Sequence, residues 1–284
     1  MQSFLLFLAI IFSTGYSFLE VSPSSELTLL NYLNTGNPSS YEAGIHVSFS
    51  SSLWDGYSKI HELGFFYEKG AVGFRYYDFG ELEYKPNIPD DLLSFTYNPT
   101  AYIIYGGKRI DIDKELSFGV RASYFRFEVI NEKVESFFGS FGFLYRPSYL
   151  DGLVLSAYVD NLAFDTGVEE KFPLPMKINT TFYFPIKGIL LSYSYSKIMR
   201  QGNRNIIHGF GITHRISASY VPHKLFSLGG GIFVGDEPRV FEGIFKLRVK
   251  NNFFLVYNGS YRRAGLPPVH SFVVEVKAHE NSGF

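Results

Sequence analysis

Apolar and polar residues alternate one by one along most of the chain, from about residue 41 to residue 278. Residues 115–124 (ELSFGVRASY), 188–197 (GILLSYSYSK) and 241–250 (FEGIFKLRVK) each carry an apolar residue at every second position. A period of two places the two kinds of side chain on opposite faces of a β-strand. Glycine, proline, asparagine and aspartate gather in short segments between these runs, as tight strand connections require. The pattern predicts an all-β domain.

The spacing of the runs indicates which all-β architecture is formed. About 14 strands share the patterned region, which leaves roughly 17 residues for each strand with its connection, and this fits the tilted strands of a membrane β-barrel. Strands of a soluble sandwich are shorter, at about 5–6 residues. We therefore predict a single antiparallel transmembrane β-barrel of about 14 strands. Residues 1–17 are assigned to a signal peptide, 18–40 to an N-terminal segment and 41–284 to the barrel.

The signal peptide rests on the first twenty residues. An apolar run from Phe4 to Phe12 is followed by Gly15 and Ser17, small residues at the positions that signal peptidase reads. Cleavage after Ser17 is expected. A buried first strand or helix is the alternative interpretation of the same run. No other apolar run approaches the ~18 residues that a membrane helix needs.

Composition supports a barrel in a membrane. Aromatic residues make up 18% of the chain, with 30 Phe and 21 Tyr, and hydrophobic residues make up 46%, yet mean hydropathy is only +0.02. Tyr and Phe cluster near the predicted strand ends, where aromatic girdles lie at the lipid–water boundary. A sheet in hydrocarbon must also close, because an open edge leaves backbone groups unpaired. These features predict a protein of the bacterial outer membrane, in contact with outer-membrane lipid.

Charge and cysteine content exclude several classes of function. The net charge is −1, with 26 basic and 27 acidic residues, so no basic excess points to nucleic acid. Cysteine is absent, which excludes disulfides, thiolate zinc sites and cysteine nucleophiles. No phosphate-loop or dinucleotide-binding pattern is present. We expect no cofactor and no metal.

One stretch, residues 155–178 (LSAYVDNLAFDTGVEEKFPLPMKI), is rich in carboxylates: Asp160, Asp165, Glu169 and Glu170. A metal site or a catalytic carboxylate pair is conceivable there. The order of the oxygen-bearing residues does not match a calcium-binding loop, which needs several ligands converging on one point. We interpret Asp160 and Asn161 as the end of one barrel strand, and Asp165 to Lys171 as the exposed loop that follows it.

The histidines give no clear active site. His208 and His214 lie six residues apart, so on one strand they would be about 20 Å apart at ~3.3 Å per residue, too far to share a metal. Each is interpreted as a lumen or girdle residue. A Ser–His pair, as in barrel hydrolases, stays open as an alternative because serine is abundant.

A basic ladder is the remaining candidate site. Its members lie on the polar faces of two consecutive predicted strands and could form an anion-attracting patch in the lumen. They are Lys246, Arg248, Lys250 and Arg262. The alternative is an ordinary solvated barrel interior in which Glu242 and Glu275 balance the charge.

Several segments resemble the PorV/PorQ family of outer-membrane barrels, which is similar to the FadL-type fatty-acid transporters. NTGNPSSYE (34–42) resembles the family's Asn-Pro-Ala segment, with Asn37-Pro38-Ser39 in its place. Residues 101–129 resemble a strand–turn–strand with a Gly-Val pair, and residues 139–162 resemble a following pair that ends in Asn-Leu. EKFPLPMKINTTFYF (170–184) resembles a Pro-Leu-Pro strand entry. The resemblance covers most of residues 35–185.

The resemblance implies a non-catalytic barrel that transports solutes, hydrophobic ones among them, or that takes part in envelope assembly or secretion. Its partners would be hydrophobic small molecules or secretion-system proteins. A short apolar plug would favour a conduit, and LTLLNYL (27–33) is the candidate. The alternatives are an outer-membrane barrel hydrolase and a secreted soluble β-sandwich that binds a ligand.

Overall fold

The structure is a computed structural model in which thirteen stretches of the chain are described. They are residues 37–41, 45–54, 58–84, 95–129, 132–150, 152–163, 176–186, 189–199, 211–223, 225–236, 238–250, 253–263 and 265–277. The predicted signal peptide, the plug candidate 27–33 and His208 lie outside these stretches. Within them, no helix is both long and apolar enough to cross a membrane.

The described residues are almost entirely extended. A single 3₁₀ turn, Pro38–Ser40, precedes the strands. The strands are β1 (Ile45–Trp54), β2 (Ser58–Tyr67), β3 (Gly70–Asp78), β4 (Leu82–Tyr84), β5 (Phe95–Tyr97), β6 (Thr100–Asp111), β7 (Leu116–Val129), β8 (Glu132–Tyr145), β9 (Val154–Ala163), β10 (Met176–Ile186), β11 (Ile189–Met199), β12 (Ile212–His223), β13 (Phe226–Gly235), β14 (Arg239–Lys250), β15 (Phe253–Arg262) and β16 (Val269–Lys277).

These strands form a closed antiparallel barrel. In the described part of the chain it has 14 strands, in the order β1-β16-β15-β14-β13-β12-β11-β10-β9-β8-β7-β6-β3-β2, while β4 and β5 pair with each other in the connection between β3 and β6. The first and last strands close the sheet along eight residue pairs, from His46 opposite Lys277 to Leu53 opposite His270. The predicted architecture and strand count are confirmed.

The period-two alternation divides the barrel wall into two surfaces. On β7, the polar Ser117 and Arg121 face the lumen, whereas Phe118 and Val120 face outward. Side chains such as Phe65, Ile104, Ile216, Ile232 and Phe272 leave between 44% and 60% of their surface exposed on the outer wall. Because large apolar residues cover the outside and serines cover much of the inside, the barrel is built to face hydrocarbon.

The two ends of the barrel differ in the length of their connections. The strands that follow β2, β6, β10, β12 and β14 are reached through turns of two to four residues, and these turns all lie at the end where β1 begins and β16 ends. The opposite end carries the long connections 79–99, 164–175 and 200–211. Outer-membrane barrels have short periplasmic turns and longer extracellular loops. We accordingly refer to these as the periplasmic end and the loop end.

Four register shifts interrupt the ladders. One lies between β8 and β9, where Gly139 pairs with Leu162 and Phe141 pairs with Val159, so that one residue of β9 is extra. Asn161 occupies this bulge with a φ of 55°, a left-handed conformation that asparagine tolerates better than most residues. The others lie between Tyr220 and His223, between Arg239 and Phe241, and between Arg248 and Lys250.

The outward-facing Phe245, near the middle of β14, offers a test of which surface meets lipid. Substituting Phe245→Arg should cost about 2–4 kcal/mol of unfolding free energy in lipid vesicles, because a charge would enter the hydrocarbon midplane. Phe245→Leu serves as the control and should cost far less. Urea unfolding in vesicles measures both variants, and an equal cost for both would contradict the proposed lipid-facing surface.

Candidate functional site

The lumen is the candidate site, and its periplasmic part contains the described N-terminal segment. This segment, residues 37–41, lies across the inner wall formed by β6, β7, β8 and β9. The Asn37 amide donates hydrogen bonds to Ser156 Oγ (2.8 Å) and to the Phe143 carbonyl (3.3 Å). Its carbonyl oxygen accepts from the backbone N–H of Ser39 (3.0 Å) and caps the 3₁₀ turn. Asn37 is fully buried.

Three glycines of the wall make room for this segment. A Cβ atom at Gly142 would overlap the Asn37 Oδ1 atom, and a Cβ atom at Gly119 would overlap the backbone between Pro38 and Ser39. A Cβ atom at Gly107 would lie 3.0 Å from the Tyr41 ring. Close approach of the segment therefore requires glycine on the adjacent strands β7 and β8, and at Gly107 of β6 a Cβ atom would also overlap the Val120 carbonyl of the wall.

Tyr41 fixes the other end of the segment. Its ring is 1% exposed and packs edge-on against Phe66, with ring centroids 6.0 Å apart, in a small cluster with Ala71. The Arg109 guanidinium donates to the Tyr41 carbonyl at 3.3 Å. The segment is therefore held by side-chain packing and by hydrogen bonds from both of its ends.

An aromatic cluster fills the lumen near the loop end. It is contributed by strands β2, β3, β6, β7, β8 and β16, and its members are Ile60, Tyr77, Phe79, Ala101, Ile103, Tyr105, Phe125, Phe127, Phe138 and Val269. Phe79 meets Phe127 edge-on at 5.8 Å between ring centroids. Tyr97 of the β4–β5 hairpin packs against the same cluster. An apolar environment thus lies at the extracellular entrance of the lumen. A second, smaller apolar cluster lies deeper on the inner wall, and its buried members are Leu144, Val154, Tyr183, Ile244, Val256 and Val273.

A buried ion pair lies between the aromatic cluster and the N-terminal segment. Arg75 donates two hydrogen bonds to the Glu62 carboxylate, both at 3.3 Å, and one to the Tyr77 hydroxyl at 3.2 Å. The Tyr105 hydroxyl donates to Glu62 at 2.9 Å. Because both charges are largely removed from water, their mutual contacts and the tyrosine hydroxyls must replace hydration.

Asp160 belongs to a second lumen ion pair. It accepts a hydrogen bond from Arg121 at 2.5 Å and another from the Ser140 hydroxyl, and Arg121 also stacks over the Tyr105 ring at 5.6 Å. The prediction that Asp160 and Asn161 close a strand is confirmed, because both lie near the end of β9, and Asp160 faces the lumen. Asp165, Glu169 and Glu170 lie outside the described residues.

The four residues of the predicted basic patch are placed in three different environments. Lys246 faces the lumen, donates to Glu275 at 3.2 Å and lies 4.5 Å from the centroid of the Phe254 ring, which Arg248 also approaches at 5.8 Å. Lys250 follows the register shift and pairs with Phe253, so it shares the outer face at the periplasmic end.

Arg262, the fourth member, lies at the loop end of β15, opposite Arg239. Along the strand direction it is roughly 20 Å from Lys246 at ~3.3 Å per residue. Glu242 and Glu275, the expected counter-charges, do lie in the lumen, where Glu242 pairs with Arg215 and Glu275 pairs with Lys246 and Lys277. The structure thus brings together only Lys246 and Arg248, and an anion-attracting role for the four residues stays a proposal.

The described histidine side chains contact aromatic rings. His214 and His270 each share a hydrogen bond with a tyrosine hydroxyl, and His61 stacks on Phe49. All three point outward, so the lumen interpretation of His214 is wrong and the girdle interpretation fits its position. In the described part of the chain these rings have no serine hydrogen-bond partner, and no group of three or more metal-ligating residues is present.

Sequence reasoning missed the two buried lumen pairs, Glu62–Arg75 and Arg121–Asp160. A signal was available for the first pair, since both residues occupy polar-face positions of neighbouring strands that form a tight hairpin. The second pair spans three strands and lies next to the bulge at Asn161. Alternation alone predicts the face of β9 on which Asp160 lies, but it does not predict that Arg121 is its partner.

Comparisons with known proteins identify the fold. No protein-family model matches the sequence, and a search of curated proteins returned no match. Among solved structures, the chain is similar to the Ralstonia pickettii toluene transporter TbuX, with 10% sequence identity and a TM-score of 0.62 over 91% of this chain and 98% of that one.

Two further structures are similar at 9% identity and a TM-score of 0.58. The CymD monoaromatic hydrocarbon channel matches over 94% of this chain and 97% of its own, and the P. putida toluene transporter TodX over 89% and 94%. These similarities confirm the predicted outer-membrane β-barrel fold, while the resemblance to the PorV/PorQ family and to FadL-type transporters stays a prediction.

Gly107, Gly119 and Gly142 together form the glycine seat of the N-terminal segment, and adding one methyl group tests its role. Gly142→Ala should displace the segment, because the new Cβ atom overlaps Asn37 and such overpacking costs about 1–3 kcal/mol. Since the chain has no cysteine, Ser39→Cys provides a single thiol in a fully buried position. Maleimide should label Ser39→Cys several-fold faster when Gly142→Ala is also present.

The matched control is Gly243→Ala, because a Cβ atom at Gly243 would have no atom within 4 Å. Labelling of Ser39→Cys should be unchanged by Gly243→Ala. Equal labelling rates for Gly142→Ala and Gly243→Ala would mean that the glycine does not seat the segment.

The Glu62–Arg75 pair predicts strongly non-additive effects. Arg75→Met should destabilise the barrel by about 3–5 kcal/mol, because it leaves the Glu62 carboxylate buried without its counter-charge. Adding Glu62→Gln to Arg75→Met should recover much of that loss. A double-mutant cycle by urea unfolding measures this coupling, and additive losses would show that the two charges are independently solvated.

Proposed function

We propose that the chain is a non-catalytic barrel of the bacterial outer membrane that admits small hydrophobic solutes, with monoaromatic hydrocarbons as the first class to test. The observation that carries the proposal is the arrangement of the lumen. Apolar and aromatic side chains line the loop end, whereas the periplasmic part holds the N-terminal segment on a glycine seat. An open water-filled porin would need neither feature.

The direction of passage follows from the order of these layers. A hydrophobic solute arriving at the loop end would first meet the aromatic cluster around Phe79, Phe125 and Phe127, where rings offer contact without hydrogen-bond demands. It would then reach the polar level of Glu62–Arg75 and Arg121–Asp160, which resists entry of an apolar molecule. Passage therefore requires side chains of the cluster, the N-terminal segment or both to move.

Two sets of facts support a hydrophobic substrate class. The barrel fold is shared, over 89–94% of the chain, with two proteins described as toluene transporters and with one described as a monoaromatic hydrocarbon channel. The middle of the outer wall is apolar, as insertion into a membrane requires, and charged residues lie near the strand ends. Membership of the PorV/PorQ family, and with it a secretion-associated role, would be a second function, but no described contact favours it.

An uptake assay tests the substrate class. Expression of the chain in a Gram-negative host should raise the initial uptake rate of radiolabelled toluene several-fold over cells with an empty vector. Uptake of a hydrophilic sugar should not change, because the apolar cluster at the loop end offers few hydrogen-bond partners to replace its hydration. An equal rise for the sugar would identify an open porin, and no rise for either solute would reject transport.

Single-channel recording in a planar bilayer is the companion measurement. The wild-type chain should give no steady pore, whereas Gly142→Ala should produce openings because it disturbs the seat of the segment. Gly243→Ala, with its free outward position, should behave as the wild type. A steady conductance from the wild-type chain would contradict a closed lumen.

A further inference from the structure

Three histidines on the outer wall repeat one arrangement. Each imidazole lies over an aromatic ring of the preceding strand, with ring centroids 6.0–6.4 Å apart and ring planes within 14–28° of each other. The pairs are His61 with Phe49, His214 with Tyr193, and His270 with Tyr257.

The register of the three pairs is the same. The residue directly opposite the histidine always lies two positions after the aromatic residue: Ser51 is opposite His61, Tyr195 opposite His214, and Gly259 opposite His270. Each histidine also lies within the first four residues of its strand, at the loop end. One geometry repeated on three hairpins near the loop end indicates a common role at the outer boundary of the membrane.

The tyrosine hydroxyls orient two of these rings. Tyr193 Oη lies 2.7 Å from His214 Nδ1, and Tyr257 Oη lies 2.8 Å from His270 Nδ1. With the hydroxyl donating to Nδ1, the ring proton resides on Nε2, which is then the donor available to another molecule. The tyrosines are positioning residues for this donor.

The neighbours of the histidines change from apolar to cationic along the strands. Two residues toward the membrane centre on the same face lie Leu63, Ile216 and Phe272, each 51–60% exposed. In the opposite direction, Lys59 precedes His61 on β2, and Lys197 pairs with Ile212, two residues before His214. Both lysines are exposed. The acyl chains of a lipid would contact the apolar residues, and its anionic headgroup would contact the histidines and lysines.

The outer wall of β7 and β8 has a different character at the same end. There the Arg126 guanidinium pairs with Glu128 and with Glu135, so its charge is neutralised within the wall. On the three hairpins, Lys59 lies opposite Asp78 of β3, but among the described residues neither Lys59 nor Lys197 forms an ion pair with a carboxylate.

We propose that these hairpins bind the phosphate groups of phosphorylated lipids in the outer leaflet. The imidazole Nε2 atoms donate hydrogen bonds to phosphate oxygens, and Lys59 and Lys197 supply charge just above them. The site is an interaction surface distinct from the lumen, and it rests on the proposed function only in requiring a membrane-inserted barrel.

Lipid binding by the purified barrel in detergent tests the proposal. The probes are bis-phosphorylated lipid A, the same lipid after phosphatase treatment, and inorganic phosphate. Wild-type protein should bind the phosphorylated lipid at least tenfold more tightly than the dephosphorylated one. The triple variant His61→Phe, His214→Phe and His270→Phe should lose about tenfold in affinity for the phosphorylated lipid, because it keeps the rings but removes the donors.

Two further double variants test whether the tyrosine hydroxyls orient the histidine rings or whether loss of any outer-wall hydroxyl has the same effect. Tyr193→Phe with Tyr257→Phe should weaken binding by a smaller factor and should change the ¹⁵N shifts of the imidazole tautomer, which a purely structural role would leave unchanged. Tyr220→Phe with Tyr261→Phe removes hydroxyls elsewhere on the outer wall and is the matched control, expected to bind as the wild type.

Three results would overturn the proposal. The first is equal binding of the phosphorylated and the dephosphorylated lipid. The second is an unchanged preference in the triple histidine variant. The third is complete displacement of the phosphorylated lipid by millimolar inorganic phosphate, which would show that the lipid part adds nothing to binding. Toluene uptake measured on the same triple variant should stay at the wild-type rate. If the wild-type protein gave no toluene uptake, the transport proposal would be rejected, and the lipid-binding proposal would be unaffected.

Discussion

Closure of the backbone hydrogen-bond ladder is the constraint on which the rest of this structure depends. Hydrocarbon offers no partner for an unpaired N–H or C=O group, so a sheet in a membrane is stable only without edges. Pairing of β1 with β16 supplies that closure. Once the sheet is closed, each residue of a barrel strand faces either lipid or lumen, and the composition of each surface is dictated by its surroundings.

The lumen shows what a closed but narrow sheet does with polar residues. Serines, the Glu62–Arg75 pair and the Arg121–Asp160 pair satisfy one another across neighbouring strands, while aromatic rings fill the loop end. The N-terminal segment could be accommodated only where the wall has no side chains. Glycines at positions 107, 119 and 142 are therefore as much a part of the site as Asn37 and Tyr41, although none of them carries a functional group.

Alternation was enough to predict the barrel, the strand number and the faces of β7, β11 and β14, because period two is a local property of the chain. Alternation failed where a β-bulge shifts the pattern by one residue, or where the pattern gives no information on which residues become neighbours. Lys250 was assigned to the lumen with Lys246, but the bulge after Arg248 returns it to the outer face. Asp160 and Asn161 were correctly placed at the end of a strand, but alternation does not show that Asn161 forms a bulge or that Asp160 pairs with Arg121. Arg262 was grouped with Lys246 because they are close in sequence order, although hairpin geometry separates them by about 20 Å along the strands.

The contact between residues 37–41 and the inner wall also constrains the order of assembly. The segment directly precedes β1, and β1 completes its pairing only when β16, more than two hundred residues later, reaches it. Such a contact between distant parts of the chain forms late, because the intervening loop must first be closed at an entropic cost. The wall that holds the segment is formed by β6, β7, β8 and β9, which are consecutive barrel strands, so it can form before β16 reaches β1. Seating of the segment and closure of the barrel therefore depend on different contacts, one between neighbouring strands and one between the two ends of the sheet.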